Sequence, residues 1–273
     1  MRLPERGILP WLVLIIAVSG CSRLSFIKPD YTRNEYTQTA PDLDVTTDTR
    51  GSGSAAARSL VLEGQRAYTQ GELEAAREAA DEALDLEPDS AAAHTLKALV
   101  ADRSGKARLA GDHYRRAVEL APHQGGMHNN YGTWLCANGR ARESLEWFER
   151  ALADASYRTP AAAMANAGAC ADKAGQGELA VRYLDAALKL QPDNPVALGA
   201  MAGHEFRAGR AFHARAFSQR RLAAAPADAD ALVLASQIEQ KLGDSDAAEQ
   251  YVQRLRAEFP EASGSVTGDD GKQ

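Results

Sequence analysis

The sequence predicts an all-α fold: a right-handed superhelix of six helix–turn–helix repeats. Three observations carry this. Glycines recur at Gly71, Gly105, Gly139, Gly175, Gly209 and Gly243, at spacings of 34, 34, 36, 34 and 34 residues. Each is expected to end one helix and reverse the chain, because glycine tolerates the left-handed conformation. Seven residues before each glycine stands a small residue (Gly64, Ala98, Gly132, Gly168, Ala202, Ser236), and five after it another (Ala76, Ala110, Ser144, Ala180, Ala214, Ala248). Such pairs let two helices cross closely. Finally, Pro88, Pro122, Pro192, Pro226 and Pro260 follow the second helices and stop them, since proline has no amide to continue the ladder.

The copies run 57–90, 91–124, 125–160, 161–194, 195–228 and 229–262. Copy three shows the unit best: HNNYGTWLCANGRARESLEWFERAL, from His128 to Leu152. Tyr131, Gly132 and Leu135 share one helical face before the Asn138-Gly139 turn, and Ser144, Phe148 and Ala151 share one after it. Ser156 replaces the proline there, two extra residues are present, and Pro160 follows late. Copies one and five carry Ala80 and Ser218 where a bulky second-helix residue is expected, and should be locally softer. The 34-residue period with this pattern is that of the tetratricopeptide repeat (TPR), which the chain resembles from Ala57 to about Ala262. One copy cannot bury its apolar face alone, so neighbours must stack.

Residues 1–20 read as a targeting segment. Arg2 and Arg6 precede a nearly all-apolar run, Ile8 to Val18, that is too short to span a bilayer. The run ends Val18-Ser19-Gly20-Cys21, which resembles the bacterial lipobox. The resemblance implies cleavage before Cys21 and a lipid anchor there; Ser22 after it, rather than aspartate, favours the outer membrane. Residues 21–56, with Pro29, Pro41 and RGSGS, have no helical period and read as a lipidated cysteine followed by a flexible tether. Residues 263–273 read as a disordered tail.

The net charge is −6, with 45% hydrophobic and 25% charged residues. An acidic chain without a basic cluster argues against nucleic acid, whose affinity comes mainly from Lys and Arg neutralising phosphates. Catalytic motifs are missing. His204-Glu205 begins a zincin-like HExxH but meets Ala208 where the second histidine belongs. There is no C-x-x-C, phosphate loop or nucleophile elbow. The expectation is no enzyme, no cofactor, no metal and no small-molecule substrate.

Cys136 and Cys170 lie on the first helices of adjacent copies, which pack side by side in such a stack. Outside the cytoplasm the pair is expected to form a disulfide, the alternative being two small buried thiols. First helices also line the concave groove of the superhelix. Inward positions there include Leu99 and Arg103 in copy two and Asn129 and Thr133 in copy three, the candidate partner-binding residues. Asn130 and Asn166 are better read as internal hydrogen-bonding groups.

HNNYGTWLC at 128–136, SYRTPAAAMANAGAC at 156–170 and GDSDAAEQYVQRLRAEFPEA at 243–262 resemble the type IV pilus biogenesis and stability lipoproteins, PilW or PilF. The resemblance spans nearly the whole mature chain. It implies an outer-membrane, lipid-anchored pilotin facing the periplasm, which helps the secretin PilQ to localise and assemble and supports pilus stability. A repeat lipoprotein that scaffolds cell-wall enzymes or outer-membrane barrel assembly would have the same architecture.

Overall fold

The computed structural model describes residues 55–263, and among them all regular structure is α-helical. Twelve helices form six antiparallel pairs: α1 (Ala55–Thr69) with α2 (Leu73–Leu86), α3 (Ala91–Arg103) with α4 (Ala107–Leu120), α5 (Gly125–Ala137) with α6 (Ala141–Ala153), α7 (Pro160–Lys173) with α8 (Gly177–Leu190), α9 (Pro195–Arg207) with α10 (Ala211–Ala224), and α11 (Ala229–Leu242) with α12 (Ser245–Glu258). A single turn, α13 (Pro260–Ser263), follows. The signal segment 1–20, Cys21, the tether as far as residue 54 and the tail beyond 263 lie outside the described residues. None of the described helices is long and apolar enough to cross a membrane.

All six turn glycines have positive φ, between 71° and 82°, so each reverses the chain in the left-handed region that side chains rarely adopt. The small residues sit where helices cross. A Cβ on Gly132 would come 3.0 Å from the Phe148 ring, and one on Gly168 would come 2.6 Å from Leu184 Cγ.

Copy three departs from the expected boundaries. Its second helix ends at Ala153, well before Pro160, and Pro160 opens α7 instead. A fixed φ and a missing amide suit proline to the first helical position, where that amide has no intrahelical acceptor. The boundary between copies three and four therefore falls at residue 159 or 160. The extra residues make a loop with work to do: Tyr157 is buried against Ala151 and Ala163, and Asp154 Oδ2 accepts from the Gly125 amide at 2.8 Å. Likewise α12 ends at Glu258, and Pro260 starts α13 rather than only stopping its predecessor.

The stack has two layers. Each first helix touches the next first helix, whereas no two second helices make an extended contact. On a curved stack the layer whose members touch is the inner one. The first helices α3, α5, α7 and α9 thus form a continuous inner wall, with second helices bracing it from outside.

Candidate partner-binding face

Helix α5 is the most enclosed element. Eleven of its 13 residues are buried. Three glycines make it a poor helix by propensity, so packing on every side must hold it. Its inward row is Asn129, Thr133 and Cys136, at helical spacings of four and three. The facing row on α7 is Asn166 and Cys170. Asn166 Nδ2 donates to Asn129 Oδ1 at 3.1 Å and reaches Thr133 Oγ1 at 3.3 Å. Thr133 Oγ1 in turn donates to the Asn129 carbonyl at 2.9 Å. One turn on, Cys136 and Cys170 are joined as a disulfide with Cα atoms 5.8 Å apart, a separation that suits the bond. A polar clasp and a covalent one thus tie the same two helices.

Behind this row lies an aromatic wedge. Tyr131 stacks on Trp134 with centroids 5.9 Å apart and meets Trp147 edge-on at 4.8 Å. The Arg150 guanidinium lies 4.5 Å above the Trp147 ring centre. Trp134 fits because residue 111 is glycine: a Cβ there would come 2.3 Å from the indole. Sequence reasoning missed this pairing, because Gly111 stands outside the repeat's own small positions and only the three-dimensional stack sets it against the next copy's tryptophan.

The four groove candidates separate. Leu99 is 3% exposed and belongs to the apolar core with Tyr114, Tyr131 and Trp134. Asn129 is 0% exposed. Neither offers a side chain to a partner, which corrects the sequence-based expectation. The spacing that placed them inward is right, but neighbouring first helices close over both. Arg103 and Thr133 are half-buried and remain accessible; Arg103 lies 5.4 Å above the Tyr68 ring centre. Asn166, assigned to internal bonding, does bond between copies and is itself half-buried, so it belongs to the same face.

Further along the wall the polar groups pair with one another. His204 Nδ1 lies 2.8 Å from Asp172 Oδ1, and Arg207 pairs with the other carboxylate oxygen. Glu205, nearly buried, is held by Arg210 at 2.5 Å with His213 at 3.3 Å. The hydrogen bond from Arg210, opposed by burial, keeps the Glu205 carboxyl below its ordinary value. Asp102 shifts the other way, above its ordinary value, because partial desolvation disfavours its charged form. His204 and Glu205 are thus taken up by polar contacts within the wall, and among the described residues no group of three or more possible metal ligands converges.

Paired helices of this length, left-handed glycine turns and close crossings at fixed small residues define a tetratricopeptide-repeat protein, a fold used for protein–protein interaction. A tetratricopeptide-repeat family model matches residues 61–125. The chain is homologous to the type IV pilus assembly protein PilF of Pseudomonas aeruginosa, being 25% identical over 209 residues, 76% of this chain and 83% of that one. It superposes on the crystal structure of PilW, described as a widely conserved type IV pilus biogenesis factor, with TM-score 0.69 and 29% identity, over 78% of this chain and 99% of that one. The solved P. aeruginosa PilF structure shares the fold, with TM-score 0.64 and 23% identity, over 78% of this chain and 97% of that one.

Proposed function

We propose that the chain is an outer-membrane lipoprotein of type IV pilus biogenesis, a non-catalytic pilotin that brings the secretin PilQ to the outer membrane and promotes its assembly. The observation that carries this reading is the match to PilW over 99% of that chain, which takes in the whole repeat stack rather than one generic motif. Cys21 would carry the lipid, and the segment that follows would tether the repeats. The inner wall around Arg103, Thr133 and Asn166 would receive a secretin segment. Tethering both at one surface raises the local concentration of subunits.

Deleting the gene should reduce secretin multimers in outer-membrane fractions and abolish twitching motility. Wild-type levels of heat-resistant multimers with normal surface pili would overturn the reading. They would favour a scaffold for cell-wall enzymes or barrel assembly, which pull-down from envelope extracts would identify by a wall hydrolase in place of a secretin. Acylation is checked separately: mass spectrometry of the mature N-terminus should find a lipid-modified Cys21, and Cys21→Ser should release the protein from the membrane.

A further inference from the structure

Copy two holds a pair of histidines that the partner-binding reading does not use. His94 on α3 and His113 on α4 face each other with Nδ1 atoms 3.0 Å apart. Their ring centroids are 5.3 Å apart and the planes are tilted by 36°. The other ring nitrogen of His94, Nε2, lies 3.1 Å from the Pro88 carbonyl. A carbonyl only accepts, so Nε2 carries the proton and Nδ1 presents its lone pair. His113 then donates from Nδ1 in the closed pair. Moving that proton to its own Nε2 leaves two lone pairs facing each other across the gap.

We propose that His94 and His113 form a two-nitrogen chelate for a divalent transition-metal ion that favours tetragonal geometry, copper(II) foremost. The distance argues for the geometry. With metal–nitrogen bonds of about 2.05 Å, nitrogens 3.0 Å apart subtend about 94° at the ion. That is the cis angle of a square-planar or octahedral site, whereas a tetrahedral ion needs nitrogens about 3.3 Å apart. The ion would sit about 1.4 Å off the nitrogen–nitrogen line, so each half-buried ring must turn its lone pair from its neighbour toward that point. The Pro88 carbonyl is the outer partner that orients a ligating imidazole and fixes its tautomer. Burial holds both imidazoles below their ordinary value, with Arg116 and Lys97 beside His94 and Lys97 beside His113 adding to it, against Asp89 at His94 and Asp112 and Asp81 at His113. The rings are thus kept neutral, the form that ligates a metal. No third protein ligand converges among the described residues, so water completes the shell and binding is reversible. Bound, the ion would staple α3 to α4.

The test is copper(II) titration of the full-length protein in detergent, followed by electron paramagnetic resonance. One reversibly bound ion per chain is expected, with two equatorial imidazole nitrogens. His94→Gln and His113→Gln should each weaken it at least tenfold, while His123→Gln leaves it unchanged. Circular dichroism of the metal-free variants checks that each keeps its helices. A wild-type spectrum with one imidazole or none overturns the proposal whatever the variants do. So does copper affinity that survives both substitutions, which marks adventitious binding elsewhere on the chain.

Discussion

The junction between copies three and four and the region of copy five use one repeat pattern with opposite chemistry. At copy three the bulky second-helix position holds Phe148, fully buried, and the core it shares with copy two is filled by tryptophan and tyrosine from both layers. A disulfide and an amide clasp close the inner side. In copy five the equivalent of Phe148 is Ser218, and the position three residues on, alanine in copies one to four, is Arg221. Arg221 is only 5% exposed. Its guanidinium bonds the Ala225 and Pro226 carbonyls and Asp228 Oδ2 at 2.6 Å, while Asp228 Oδ1 caps α11 through the Ala231 amide at 2.7 Å. Copy three is welded by apolar contact and a covalent bond; copy five is hinged on an ion pair that joins a helix end to the next helix start. Apolar burial is non-directional and dense, whereas a buried ion pair must first offset the desolvation of both charges. The stack should therefore be stiff at the junction of copies three and four and open more readily around copy five.

That difference can be broken from either side. The largest effect is expected from Phe148→Ala, which empties the centre of copy three and should cost about 3–5 kcal/mol. Ser218→Ala at the equivalent site should stay within about 1 kcal/mol. Chemical denaturation of both variants makes the comparison, and equal losses would erase it. Next comes Cys136→Ser with Cys170→Ser. The loop closed by the bond gives about 4 kcal/mol by chain entropy, of which about 2–4 should be seen. Free-thiol titration of the denatured protein should find none if the bond is present in solution. Gly111→Ala should cost about 1–3 kcal/mol, since the indole of Trp134 must shift. Trp134→Leu should recover part of that loss in the double variant.

Smaller effects belong to copy five. Asp228→Asn keeps a capping side chain but loses the charge opposite Arg221. With Asp228 itself partly exposed, the cost should be about 1 kcal/mol, and hydrogen exchange should rise first in α10 and α11. The acid limb gives the mildest test. Glu205 has a depressed pKa in the folded chain, so the unfolded chain binds its proton more readily. The stabilisation is complete above the unfolded value and is lost as pH falls through the lower, folded one. Glu205→Gln should therefore flatten the fall in melting temperature below about pH 4.5.

Much of the architecture was legible in the sequence because it rests on backbone rules. A glycine with positive φ every 34 residues and a small residue at each crossing are chemical necessities of the turn and the close approach, and they print directly in the chain. Pro160 shows where such reading slips. Proline both stops a helix and starts one, and only the position of Tyr157 and Asp154 in the inserted loop decides between them. The binding face was half legible. Periodicity placed Leu99 and Asn129 inward, yet inward means exposed only where the neighbouring helix leaves a gap. That depends on side-chain volumes in the next copy, and so does the use of Asn166 as both clasp and surface. Arg221 is harder still: a charge at an alanine position reads as a solvated face until Asp228 is found across the junction.

The central claim is that the half-exposed inner face at copies two to four receives the secretin. It is tested most directly by replacing the genomic copy with Thr133→Arg and measuring secretin multimers in outer-membrane fractions, with the melting curve of the purified variant alongside. Thr133 is half-buried at the mouth of the clasp, so an arginine there should block the face while the stack still folds. The account predicts a cooperative melting curve lowered by only a few degrees, since the Thr133 bonds of the clasp are lost while the disulfide remains. It also predicts a loss of heat-resistant multimers approaching that of the deletion, and a pull-down that no longer brings the secretin with it. A folded Thr133→Arg protein that supports wild-type multimers and motility would contradict it.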